Sequence, residues 1–169
     1  TRDVSVSHED FINTIFKTKV PKPASHQAES IANILNSTVS DDCDIELIQA
    51  LQGQLIEIAE DHKSNKEEEP LKLSSKDIGT LLRCSGVSEE SIQSFSEKFE
   101  DDFGEFDEIP PSNVMNMKKF EVKTPEVTIK VDPAHSELIQ TRIINGTKYL
   151  LIRADSEVVV NGIKVNISE

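Results

Sequence analysis

The sequence predicts an α+β protein in two units. An acidic helical domain of about five helices spans residues 1–103, residues 104–117 form a linker, and an antiparallel β domain of about five to six strands spans 118–169. Three observations carry this reading. Charge changes at Lys118: twenty-four acidic against ten basic side chains precede it, a net −14, and seven acidic against eight basic follow from it, a net +1. Apolar spacing changes at the same place, from helical to alternating. Two Asn-Gly pairs, the residues that a two-residue hairpin turn demands, fall only in the second part.

The helical elements follow in order. Ser7 and Asp10 have capping-box spacing ahead of the stripe Phe11, Ile12, Ile15 and Phe16, which predicts a first helix ending near Lys17. Pro21 and Pro23 interrupt it, and Ala28, Ile31, Ala32 and Leu35 then mark the apolar face of a second helix. Asp41, Asp42 and Asp44 put negative charge where a helix N-terminus favours it. Leu47, Ile48, Leu51, Leu55, Ile58 and Ala59 extend that third helix to about His62, despite Gly53 inside it.

Residues 63–70 contain no apolar side chain and read as a solvated loop. Ser74 and Asp77 cap a fourth helix carrying Ile78, Leu81 and Leu82, which Gly86 ends as a glycine with positive φ. Ser88 opens a fifth with Ile92, Phe95, Phe99 and Phe103 on one face. From Gly104 to Met117, acidic residues and two prolines show neither period.

In the second unit, Phe120 and Val122 alternate with charged residues, as do Val127, Ile129 and Val131 beyond Pro125. Asp132 and Pro133 open a turn. Residues 138–144 and 148–153 flank Asn145-Gly146, and 157–160 and 163–167 flank Asn161-Gly162, two type I′ hairpins. Because a lone hairpin is marginal in water, the strands are expected to share one small sheet.

Composition excludes several functions. A net charge of −13 opposes binding to phosphate backbones and anionic lipid, and no apolar run is long enough for a membrane-spanning helix. No secretory leader opens the chain, so a cytoplasmic location is expected; Thr1 in place of an initiator Met suggests a piece of a longer protein. Cys43 and Cys84 have no CxxC context and read as reduced thiols. Without a leader, the three Asn-x-Ser/Thr matches at Asn36, Asn145 and Asn166 carry no glycosylation argument.

Each candidate site has a plainer explanation. Residues 75–103 read as helix, glycine turn, helix, the layout of a DNA-binding module. The second helix, however, bears Glu89, Glu90, Glu97, Glu100, Asp101 and Asp102 against Lys98, which excludes DNA through it. The acids around Gly104 lack an EF-hand pattern, since Phe99 would occupy its first ligand position. His8, His26, His62 and His135 have no partner at ligand spacing, and glycine-rich phosphate loops and nucleophile elbows are absent. Lys119, Lys123 and Lys130 share a strand face with Glu121 and Glu126, a mixed solvated face, and Phe120 and Tyr149 are too few for base stacking. No catalytic, cofactor-binding or metal-ligating residue is assigned.

The segment Lys119–Val131, the stretch Glu137–Tyr149 and Val158-Val-Val-Asn-Gly-Ile163 resemble the C-terminal part of an uncharacterised bacterial family of Gram-positive, anaerobic lineages, a domain of unknown function. Asp42–Lys63 and the stretch from Ser85-Gly-Val-Ser88 onward resemble it too. That resemblance implies no activity and no site residues. The expectation is a non-catalytic protein-interaction or scaffold module of a larger cytoplasmic protein. The alternatives are an accessory domain of an enzyme whose catalytic residues lie outside this chain, or a weak nucleic-acid-associated β module.

Overall fold

A computed structural model describes residues 22–105 and 107–167. The helix expected around Phe11–Phe16 lies outside these residues. The chain divides into two compact units, Thr1–Met117 and Lys118–Glu169.

The first unit is helical, with one small strand pair. Helix α1 (Ala24–Thr38) buries Ile31 and Ile34, leaving Ala32 of the expected stripe exposed. Helix α2 (Ile45–Ser64) starts at Asp44, whose side chain accepts the Leu47 N–H at 2.7 Å, and buries Leu47, Leu51 and Leu55. Strand β1 (Leu73–Ser74) leads into α3 (Ser75–Cys84) through a reciprocal capping box between Ser74 and Asp77.

Gly86, at φ +96°, ends α3 as the sequence predicts. The Val87 N–H reaches the Leu82 carbonyl and the Gly86 N–H reaches that of Arg83, while Val87 itself is buried. Helix α4 (Glu89–Asp102) is capped by Ser88 and buries Ile92, Phe95 and Phe99. The rings of Phe95, Phe99 and Phe103 follow one another at centroid spacings of 5.9 and 4.8 Å. With Ile31, Leu51, Leu55, Ile78 and Leu82 they form one core. Burial of this aliphatic and aromatic set is the main stabilising term, at roughly 1.5–3 kcal/mol per large side chain.

Residues 104–117, expected to connect the units, lie with the helices in the first unit. Strand β2 (Glu108–Ile109) pairs antiparallel with β1, aligning Ile109 with Leu73, and Ile109 is 1% exposed. The short helix α5 (Pro111–Val114) buries Pro111 and Val114. Two amides anchor the segment: buried Gln52 donates to the Asn116 carbonyl at 2.6 Å, and Asn113 donates to Gln27 at 2.9 Å. Pro and acidic residues hid three apolar anchors spaced too irregularly to form a periodic face.

The second unit is antiparallel. Strands β3 (Phe120–Lys123) and β4 (Thr128–Val131) align Phe120 with Val131 and Val122 with Ile129 on one apolar face. Strands β5 (Ile139–Ile144) and β6 (Thr147–Ile152) meet across Asn145-Gly146, and β7 (Val158–Val160) and β8 (Ile163–Val165) across Asn161-Gly162. All four turn residues have positive φ, as type I′ turns require. A 3₁₀-helix, Pro133–Leu138, capped by Asp132, occupies the expected turn and delays the next strand to Ile139.

One expectation is corrected. Among the described residues, the six strands form three separate two-stranded hairpins instead of one sheet. Turn chemistry closes each hairpin locally, but nothing in those turns specifies which hairpin edge meets which.

Candidate functional site

His8 lies outside the described residues, and among those described none of the sequence candidates gathers into a reactive centre. The acidic residues of α4 face solvent, with Glu89, Glu90, Glu97, Glu100 and Asp101 exposed. Arg83 forms a two-pronged ion pair with Glu89 across the α3–α4 turn, which raises the arginine pKa and lowers that of the glutamate. Among the described residues, no three of His, Cys, Asp and Glu converge on a point that could hold a metal ion. The acids near Gly104 include Asp107, whose carboxylate lies 3.5 Å from where a Cβ on that glycine would stand.

Cys43 and Cys84 are exposed and unpaired. Partial burial, followed by the Asp44 charge, pushes the Cys43 thiol above its ordinary value, so this thiol is a poor nucleophile. His26 and His135 are exposed. Lys130 pairs with Glu121 at 3.6 Å, in keeping with a mixed strand face. The buried Ser75 hydroxyl lacks a partner, but it sits at an α3 start already served by the Asp77 carboxylate.

Two features remain. The first is a shallow cleft of about 350 Å³ between the end of α2, the 65–70 loop and α5. Its lining includes Ala59, Leu71 and Met117, together with His62, which lies 3.3 Å from the Glu67 carboxylate. From sequence those residues are an isolated surface histidine and a solvated loop; only the fold-back of the loop brings them together. The pair can orient an imidazole, but among the described residues no hydroxyl or thiol is hydrogen-bonded to it, so the nucleophile–base geometry of covalent catalysis is missing.

The second feature is apolar strand surface. Eleven large hydrophobic residues are exposed among the described residues, and all lie in the second unit. On the β7–β8 hairpin, Val158, Val160, Ile163 and Val165 share one face, and Ile163 is 70% exposed. On β5–β6, Ile143, Ile152, Tyr149 and Leu151 are exposed on both faces. Alternation read from sequence locates these side chains on strands but says nothing of whether either face is covered.

The family model for a domain of unknown function, DUF4317, matches residues 1–163. The chain belongs to the DUF4317 family. The match covers the first unit and all but the last six residues of the second, in keeping with the resemblance that the strand and helix segments carry. No curated protein and no solved structure matches the chain. DUF4317 membership therefore supplies no residue roles, and no helix among the described residues is long and apolar enough to cross a membrane.

Proposed function

We propose that this chain is a non-catalytic protein-interaction module of a cytoplasmic bacterial protein, and that its second unit presents the contact surface. One observation carries the reading: every exposed large hydrophobic among the described residues lies on the second unit, most of them on β5–β8. Contiguous exposed apolar surface is costly in water and marks interaction sites. The first unit bears the −14 charge and encloses its apolar residues, which suits it to solubilise the module. Two exposed unpaired thiols fit a reducing compartment, and the sequence resemblance supports a bacterial source.

The test places a photo-activatable side chain at Ile163, and separately at Glu97 on α4, in the protein expressed in its native cell. Discrete protein adducts from position 163 and none from 97 are expected. Equal labelling at both positions, or no adduct from 163, overturns the reading.

A further inference from the structure

Resting on that interaction reading, we propose that the partner of the β5–β6 hairpin is a second copy of this chain, added edge to edge along β6. Among the described residues the hairpin is a two-stranded sheet, and β6 has no second neighbour strand there. Ile144 and Thr147 flank the two-residue turn as a hydrogen-bonded pair, and pairs alternate from there. Thr147, Tyr149 and Leu151 therefore direct their backbone groups toward β5. Lys148, Leu150 and Ile152 direct theirs outward.

Those three positions are complementary to themselves. A two-fold axis perpendicular to the sheet requires an antiparallel register centred on one residue, and centring on Leu150 sets Leu150 against Leu150 of the second copy. Lys148 then faces Ile152 twice, and all three outward-directed residues become hydrogen-bonded pairs. Between them Tyr149 stands beside Leu151 twice, in the closer, non-hydrogen-bonded positions where aromatic and aliphatic side chains reinforce a sheet. The result is a continuous four-stranded sheet, which satisfies the requirement that a two-stranded hairpin in water does not.

Charge favours β6 over β8. Centring β8 on its outward-directed residue would oppose Lys164 to Lys164, a like-charge pair. The β5 edge begins at Ile139, which is 1% exposed and already engaged. Of the devices that block edge pairing, the β6 edge carries neither proline nor a bulge and a single charge, Lys148, which this register sets against Ile152 and not against itself. The second unit has a net charge of +1, so two copies meet there without the repulsion that the −14 unit would impose.

The experiment uses the full 169-residue chain. Sedimentation velocity over a dilution series reads the oligomeric state, and Leu150→Lys, which places two ammonium groups at the axis, should weaken the dimer at least about tenfold. In a Cys43→Ser, Cys84→Ser background, Leu150→Cys should form an intermolecular disulfide on oxidation, because directly opposed residues lie within disulfide reach. Lys164→Cys should not. Unchanged helical circular dichroism shows that each variant folds.

A dimer that cross-links through position 150 supports the proposal. A monomer throughout, or a dimer that cross-links through 164 instead of 150, overturns it. A monomer whose position 163 still captures other proteins removes the second copy and leaves the interaction module. A monomer without adducts removes both.

Discussion

One carboxylate oxygen of Asp42, in the turn before α2, accepts both the backbone N–H of Ser88 at 3.2 Å and its hydroxyl at 2.8 Å, while the Ser91 hydroxyl reaches the same oxygen at 2.9 Å. A residue forty-six positions upstream thus completes the N-terminus of α4. The acid run at 41–44, read from sequence as favourable charge for α2, also stabilises the start of a different helix.

The Ser88 hydroxyl first, then the Ser88 backbone and Ser91, hold the Asp42 carboxyl below its ordinary 3.8. A depressed folded-state pKa adds stability above the unfolded value and loses it as pH falls through the folded one. Asp42→Asn should therefore lower Tm at neutral pH, and its difference from the unsubstituted chain should shrink as pH drops below 3.8. Thermal melts of both proteins across that range provide the check; a difference independent of pH would refute the assignment.

Two glycines in helix interiors should respond oppositely. Gly53 on α2 has open space around its Cα, so Gly53→Ala should stabilise the chain by about 0.5–1 kcal/mol. A Cβ at Gly79 on α3 would lie 3.3 Å from the Ile92 side chain of α4. Gly79→Val should destabilise by about 1–3 kcal/mol through overpacking. Urea denaturation of both variants measures the pair.

The segment before Lys118 should behave as packed structure. Limited proteolysis is expected to spare residues 104–117, and Ile109→Ala should cost about 2–5 kcal/mol and expose the segment to cleavage. Rapid cutting of the unsubstituted chain between Gly104 and Met117 would contradict the burial of Ile109 and Val114.

At Gly146, φ is +80°. Gly146→Val forces a β-branched residue into the left-handed region and should cost at least about 1–2 kcal/mol. Hydrogen exchange should show lost protection along β5 and β6 with that of α2 and α4 unchanged; an unaltered β5–β6 pattern would remove the turn assignment.

Legibility followed the range over which each signal acts. Capping at Ser74–Asp77 and Ser88, the glycine stop at Gly86 and both Asn-Gly turns were readable because each is decided within four or five residues. The Ile92–Phe95–Phe99 face was readable because one helix imposes its period on the sequence. Residues 104–117 were not, since Ile109 and Val114 show their purpose only against β1 and the helices. Of the candidate surfaces, residue order placed the strand residues but not their exposure, and nothing in it hinted that Glu67 returns to His62.

Residue order is enough to specify the α+β class, the capped helix starts at Asp44, Ser74 and Ser88, the glycine stop at Gly86 and the register of the two Asn-Gly hairpins. Those depend on backbone conformations and side-chain periods that neighbouring residues impose. Three outcomes needed the folded chain: that Asp42 accepts from Ser88 and Ser91 at the start of α4, that 104–117 joins the helical core, and that the hairpins of the second unit stand as separate pairs with much of their apolar surface exposed. Each of these depends on which distant surfaces meet. That outcome depends on burial shared across the chain, and burial leaves no local signature in the order of the residues.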